Sequence, residues 1–169
     1  MRLFHSKDNI IISFAGMSPR TRFRGLMTII RTLLQRSDSK DLTFAVQAVK
    51  SVQMKYPDKQ VILTGHSLGG LFSTWCGITL RLPAVNFNSM GLSHKQISTL
   101  QHSGASQASI IQLNGKNDWL SSVVQRPFLT QPGVRFTMEN FSGHGLGYQE
   151  NGRPHFLVDD VHDTYQRLK

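Results

Sequence analysis

One short segment constrains this chain more than any other, the hexapeptide Gly65-His66-Ser67-Leu68-Gly69-Gly70. It follows an apolar, β-branched run at 61–64 and precedes a stretch with helical character. A strand, a Gly-x-Ser-x-Gly turn and a helix in this order predict a sharp turn that holds the serine in a strained backbone conformation. The residues two before and two after the serine must then be small, and both are glycine. The alternative interpretation is a glycine-rich turn with an incidental serine.

A serine at such a turn is a candidate nucleophile, and the chain offers two backbone donors for an oxyanion beside it. The helix that begins at Leu68 would direct free N–H groups towards an oxyanion next to Ser67. A second donor is expected from a loop after an early strand. The apolar run 9–16 reads as a buried strand that ends at Gly16, so the N–H of Met17 is the candidate. An ordinary core strand followed by a turn is the alternative.

The segment 61–92 resembles the class 3 lipase-like branch of the α/β-hydrolases. It combines the turn Gly-His-Ser-Leu-Gly-Gly, an apolar helix and a strand that ends in Phe-Asn-x-x-Gly. Residues 14–17, Phe-Ala-Gly-Met, are similar to the family's Phe-Arg-Gly-Thr element, but Ala15 and Met17 replace the Arg and Thr. Backbone donation at Met17 survives these replacements, whereas a polar side-chain contribution would be lost. The resemblance implies a serine esterase or lipase that acts on acylglycerols or phospholipids.

The order of predicted elements also indicates an α/β fold. Strands are predicted at 9–16, 61–64, 84–88, 109–113 and 134–138, with 3–7 as a hairpin partner of the first. Helices are predicted at 42–56 and 71–80, and the polar run 37–41 offers an N-cap for the first of them. Alternating strands and helices favour a mostly parallel central sheet flanked by helices. The 169 residues favour a single domain over 1–169, a small α/β-hydrolase.

A serine nucleophile needs a histidine to accept its proton and a carboxylate to orient that histidine. In this fold the chain order is serine, then acid, then histidine. Asp118 lies in the loop 114–120 after a predicted strand and is the candidate acid. A solvated turn aspartate is the alternative, because Asn, Gly and Asp are ordinary loop residues.

The candidate base is His144, which lies between two glycines in the loop 139–147 after the last predicted strand. Flanking glycines would allow the loop to present the imidazole to Ser67, and a Gly-His-Gly motif resembles one near the family's C-terminus. His155 and His162 are the competitors. His66 is not expected to act as the base, because neighbouring side chains diverge at a tight turn, and it is expected to pack or hydrogen-bond locally. The remaining histidines are expected at the surface, namely His5, His94 and His102.

The segment 18–36 is basic and amphipathic and contains no acidic residue. It could lie on an anionic membrane surface or cover a lipid site as a lid. The alternative is a surface helix that packs its apolar side chains on the sheet, with its arginines in solvent. Its arginines are Arg20, Arg22, Arg24, Arg31 and Arg36.

The net charge of +9 is concentrated near the N-terminus, since residues 1–60 hold eleven Lys and Arg against four Asp and Glu. Such an excess suits nucleic acid or anionic lipid, but no nucleic-acid-binding motif is found, which disfavours nucleic acid. Cys76 is the only cysteine, so no internal disulfide can form. No metal-ligand spacing is found and no cofactor is implied. The N-terminal apolar run is too short for a signal or membrane span, so the default expectation is a cytoplasmic protein, with delivery by a non-Sec route also open.

Two hypotheses follow from the sequence. In the first, the chain is a serine hydrolase in which Ser67, Asp118 and His144 act on a lipid or small ester. In the second, it is a non-enzymatic hydrolase-fold module that binds membranes or nucleic acid through its basic N-terminal face.

Overall fold

A computed structural model describes residues 1–16, 40–102, 109–116, 118, 120, 129–138, 147–150 and 153–156, the last two ranges by their backbone. Within these ranges the strands are β1 (Arg2–His5), β2 (Asn9–Phe14), β3 (Gln60–His66), β4 (Ala84–Phe87), β5 (Leu92–Ser93), β6 (Ile110–Gly115), β7 (Leu129–Thr130), β8 (Val134–Met138), β9 (Gly147–Glu150) and β10 (Arg153–Phe156). The helices are α1 (Lys40–Lys55), α2 (Leu68–Leu80) and α3 (His94–His102).

Six of the strands form one sheet in the order β1-β2-β3-β4-β6-β8. β1 pairs antiparallel with β2, and every other pair in this sheet is parallel. The registers align Phe14 with Gly65, His66 with Phe87 and Phe87 with Leu113. The carboxyl ends of β2, β3, β4 and β6 therefore meet at one edge of the sheet, where ligands bind in open α/β sheets.

The core lies between this sheet and the helices α1 and α2. The connections β2-α1-β3 and β3-α2-β4 advance in the same direction across the sheet, so right-handed crossovers place both helices on one face. α1 packs against α2, and α2 contacts β2, β3, β4 and β6. The buried side chains of α1 recur at helical spacing, at Leu42, Ala45, Val49 and Val52. α2 is buried along most of its length because nearly every residue in it is apolar or small.

The predicted mostly parallel sheet with flanking helices is confirmed, and so is the hairpin between β1 and β2. Three details of the prediction are wrong. Asn114 and Gly115, predicted as loop, belong to β6, because their backbones continue the pairing with β8. α1 begins at Lys40, two residues before the predicted start at residue 42, and the residues 37–39 that could supply its N-cap lie outside the described residues. β8 is the last strand of the main sheet but not of the chain, because β9 and β10 form a separate antiparallel pair after it.

Candidate active site

Ser67 occupies the turn between β3 and α2 with φ 55° and ψ −124°. A positive φ is unfavourable for a residue with a Cβ, so neighbouring structure must hold it. The backbone N–H of Ser67 donates to the carbonyl oxygen of Phe87 at 3.2 Å, and its carbonyl oxygen accepts from the N–H of Met90 at 2.9 Å. The loop after β4 therefore fixes the turn from one side, while the Ser67 side chain stays half-buried.

The glycines that flank Ser67 are required by close backbone contacts. A Cβ on Gly65 would overlap the carbonyl group of Gly69, and a Cβ on Gly69 would overlap the carbonyl oxygen of Phe14. Both neighbours are backbone atoms that cannot move without displacing β2 or α2. The predicted strained strand-to-helix turn, with small residues on each side of the serine, is confirmed.

The two predicted oxyanion donors have different outcomes. Leu68 is buried and is the first residue of α2, so its N–H belongs to the helix N-terminus beside Ser67. Met17 lies outside the described residues. Its neighbour Gly16 lies beside the turn, because a Cβ placed on Gly16 would be 3.5 Å from the Cβ of Ser67. The chain after β2 thus reaches the serine at the position that the sequence predicts.

Asp118 lies in the turn after β6 and is fully buried. Its N–H donates to the carbonyl oxygen of Gly115 at 3.1 Å, and its Oδ1 accepts from the N–H of Leu120 at 3.1 Å. The alternative of a solvated turn aspartate is wrong, because solvent does not reach the side chain. β6 is separated from β3 by β4 alone, so this turn and the Ser67 turn emerge from the same edge of the sheet.

The predicted base, His144, lies outside the described residues, as does its competitor His162. His155 lies in β10. The three histidines expected at the surface are exposed, and His5 packs edge-on against the ring of Tyr56. The ring of His66 is half-buried and lies beside Gly16. The assignment of the base stays a prediction, and so do the catalytic roles of Ser67 and Asp118.

Several further features lie away from the turn. The basic segment 18–36 lies outside the described residues. Cys76 is fully buried, and burial raises the pKa of its thiol to about 12. Within the described ranges no cluster of three or more His, Cys, Asp or Glu side chains could hold a metal ion. None of the helices described is long and apolar enough to cross a bilayer.

Sequence reasoning missed a set of buried amide side chains around the two turns. Asn88 and Gln131 are almost fully buried and bond the backbone near the Ser67 and Asp118 turns. Asn86 and Gln112 lie deeper and donate to Thr74 Oγ1 on α2 at 3.0 and 3.1 Å. The sequence carries no local signal for them, because each of these amides bonds a residue at least 12 positions away.

Comparisons with known proteins found curated relatives that match part of this chain. Among curated proteins, the putative lipase ATG15 of Saccharomyces cerevisiae (strain ATCC 204508 / S288c) is 43% identical over 58 residues, which cover 34% of this chain and 11% of that protein. The putative lipase ATG15 of Mycosarcoma maydis is 46% identical over 41 residues, which cover 24% of this chain and 8% of that protein. The chain therefore matches only about a tenth of the length of these relatives.

Among solved structures, this chain shows partial similarity to lipase II from Rhizopus niveus, at 19% identity and a TM-score of 0.43, covering 59% of this chain and 44% of that one. An α/β hydrolase enzyme from a lagoon-sediment metagenome in Morocco has 15% identity and a TM-score of 0.46, covering 99% of this chain and 96% of that one. A sequence model of the Tle-like phospholipase domain, a phospholipase-like family, matches residues 2–132. Since this match spans most of the 169 residues, the chain belongs to the family of Tle-like phospholipase domains.

Proposed function

We propose that this chain hydrolyses carboxylic ester bonds of lipids through an acyl-enzyme formed on Ser67. The observation that carries the proposal is the turn itself, in which a half-buried serine with φ 55° stands between a parallel strand and the N-terminus of α2. This backbone conformation holds the hydroxyl at the sheet edge and places the first N–H groups of the helix beside it. The family match supports a lipid ester as the substrate.

In the proposed reaction, Ser67 Oγ attacks the acyl carbonyl carbon while a histidine accepts the hydroxyl proton. The bond from the acyl carbon to the leaving alcohol oxygen then breaks, and the histidine gives its proton to that oxygen. Water attacks the acyl-enzyme next, its proton passes to the histidine, and the carboxylic acid leaves as the proton returns to Ser67 Oγ. The N–H groups of Leu68 and Met17 would stabilise the oxyanion in both steps.

We assign the base to His144 and the orienting carboxylate to Asp118. Burial supports the role of Asp118, because a carboxylate shielded from water interacts more strongly with an imidazolium than a solvated one does. The glycines on each side of His144 support its role, since they allow the loop to bring the ring close to Ser67.

The test is labelling by a fluorophosphonate probe together with release of p-nitrophenol from short-chain esters. The variants are Ser67→Ala, Asp118→Ala and His144→Ala, with Ser51→Ala as the control because Ser51 is an exposed serine on α1. We expect kcat to fall by about 10⁴-fold to 10⁶-fold in the three site variants. Ser51→Ala should keep both the label and the activity.

Different outcomes would contradict different parts of the proposal. If His155→Ala or His162→Ala removes activity while His144→Ala does not, the base assignment is wrong and the reaction stands. If the wild-type chain is neither labelled nor able to release product from any ester, the enzymatic proposal is wrong. Vesicle or oligonucleotide binding that survives Ser67→Ala would then favour the non-enzymatic module.

We further propose that the substrate surface is an anionic phospholipid bilayer, engaged through the arginines of segment 18–36. The charge distribution supports this, since most of the positive excess lies in residues 1–60. Sedimentation with vesicles of phosphatidylglycerol should recover more protein than sedimentation with phosphatidylcholine, and 0.5 M salt should reduce the difference, as exposed charges are screened. Equal recovery with both lipids would contradict it.

A further inference from the structure

The residues 87–90, called here the bridging segment, contact both turns of the candidate site. On the Ser67 side, the carbonyl oxygen of Phe87 accepts from the N–H of Ser67, and the N–H of Met90 donates to the carbonyl oxygen of Ser67. Ser89 lies against α2, because a Cβ added to Gly70 would be 2.5 Å from the Ser89 side chain. The bridging segment is therefore fixed to the first turn of α2 as well as to the serine.

Towards Asp118, the contact is made by Asn88. Its backbone N–H donates to the carbonyl oxygen of Leu113 at 2.8 Å, which extends the pairing of β4 with β6 by one residue. Its Oδ1 accepts from the N–H of Gly115 at 2.7 Å. Gly115 in turn accepts the N–H of Asp118 through its carbonyl oxygen. A single residue, Gly115, thus connects the Asn88 side chain to the turn that carries the buried carboxylate.

The conformation of Asn88 shows that its side chain does more than complete a turn. It is 1% exposed and has φ 43°, in the left-handed region. Asn tolerates this region better than most residues, and Gly would fit it without strain. Glycine, however, could not accept the Gly115 N–H. The residue at this position therefore meets two requirements at once, a positive φ and a buried acceptor.

A second set of hydrogen bonds joins the same two regions independently. Gln131 Nε2 donates to the carbonyl oxygen of Ser89 at 2.6 Å and to Asn114 Oδ1 at 3.1 Å. Asn114 Nδ2 donates back to Gln131 Oε1 at 2.7 Å. Gln131 thereby links the bridging segment to the last residues of β6, directly before the Asp118 turn. The buried amides Asn88 and Gln131 therefore both connect the bridging segment to the end of β6.

From these contacts we infer that Asn88 is a positioning residue, which sets the place of Asp118 relative to Ser67 through Gly115. The inference rests on the proposed serine hydrolase function. Loss of the Asn88 acceptor leaves the buried Gly115 N–H without this partner, and the Asp118 turn shifts in consequence. Small shifts of catalytic groups reduce turnover more than binding, because correct alignment matters most in the transition state.

The experiment compares Asn88→Gly with Asn86→Gly. Asn86 is a matched control, since it is a fully buried amide two residues earlier, in β4, whose Nδ2 bonds Thr74 rather than the Asp118 turn. Steady-state kinetics on a soluble p-nitrophenyl ester and exchange of the Gly115 amide hydrogen are measured for both. A third variant, Asn88→Asp, keeps an oxygen acceptor and tolerates positive φ, and thermal unfolding is recorded for all three.

We expect Asn88→Gly to lower kcat by about 10-fold to 100-fold with KM changed less than about twofold. Its Gly115 amide should exchange faster than in the wild type, and Asn88→Asp should retain more turnover than Asn88→Gly. Asn86→Gly should lower the melting temperature without these changes. Equal losses of kcat in Asn88→Gly and Asn86→Gly, or unchanged Gly115 exchange in Asn88→Gly, would overturn the inference while leaving the function intact. An inactive, unlabelled wild type would overturn both.

Discussion

Replacing Thr74 by valine tests whether the buried amides beneath the Ser67 turn stabilise the fold. Thr74 is 1% exposed and faces the sheet from α2. Its Oγ1 accepts from Asn86 Nδ2 on β4 at 3.0 Å and from Gln112 Nε2 on β6 at 3.1 Å. Valine has nearly the same shape but no acceptor. The substitution therefore removes both hydrogen bonds and leaves the packing almost unchanged.

The structure allows the size of the effect to be worked out. Each hydrogen bond contributes about 1 kcal/mol net, so two lost bonds correspond to about 2 kcal/mol of unfolding free energy. Gln112 keeps its bond to the Pro132 carbonyl oxygen, which limits the penalty at that amide. Among the described residues, neither Asn86 Oδ1 nor Gln112 Oε1 has a hydrogen-bond partner, so the oxygens of these two amides do not offset the loss. For a chain of this length, about 2 kcal/mol lowers the melting temperature by roughly 4–8 °C.

Urea unfolding followed by circular dichroism measures this difference directly. Thr79→Val is the matched control, because Thr79 lies on the same helix and is exposed, and such substitutions change stability by less than about 0.5 kcal/mol. We expect Thr74→Val to lower the transition midpoint with an unchanged slope. If the unfolding free energies of Thr74→Val and Thr79→Val differ by less than about 0.5 kcal/mol, the two hydrogen bonds to Thr74 do not stabilise the fold.

Two further predictions concern Gly65 and Cys76. Gly65→Ala should lower the free energy of unfolding by several kcal/mol and abolish fluorophosphonate labelling, because the added Cβ overlaps the Gly69 carbonyl group. Unaltered labelling would show that the turn does not require glycine at this position. Burial raises the pKa of the Cys76 thiol from 9.0 to about 12, so between these pH values the thiol keeps its proton in the folded chain and loses it in the unfolded chain. The free energy of unfolding therefore falls as the pH rises through this range, by up to about 1.4 kcal/mol per pH unit. Urea unfolding of Cys76→Ala across this range should lack that part of the decline, and parallel curves for the two proteins would contradict it.

The sequence predicted the elements whose residues carry their own local signal. The β-branched run before Gly65 and the nearly continuous apolar helix after Ser67 mark β3 and α2 without reference to the rest of the chain. β8 was predicted from its alternation, although it sits at the sheet edge. α3 was missed because its nine residues are mostly polar and bury only Gln96 and Leu100. β5 and β7 have two residues each, too few to show a period.

The β9–β10 hairpin was missed for a different reason, since its signal was present. Glu150 pairs with Arg153, so the sequence between the two strands is Asn151-Gly152, the dipeptide that most strongly favours a two-residue hairpin. The Asn-Gly dipeptide thus predicts the pairing of β9 with β10, but it carries no information about a catalytic role.

The candidate site was predictable where one residue determines the geometry and unpredictable where several distant residues do. Ser67 and its glycines form a local motif, and Asp118 follows its strand directly. The amides Asn88, Asn114 and Gln131 are ordinary loop residues in sequence terms. Their roles appear only when β4, β6 and β7 are brought to the same edge of the sheet, because each bonds a residue at least 17 positions away.

One backbone contact links the Ser67 turn to the end of β2, after which the proposed oxyanion loop begins. Gly69, required by the turn, also meets the carbonyl oxygen of Phe14 so closely that no side chain fits between them. α2 and the end of β2 therefore approach each other at backbone distance, which brings Gly16 beside Ser67. Because this spacing depends on the backbone atoms of Phe14 and Gly69, it places no requirement on the side chain of Ala15, which stands where the resembling lipase element has Arg. Oxyanion stabilisation by backbone N–H groups is thus compatible with the residues in which this chain departs from the family pattern.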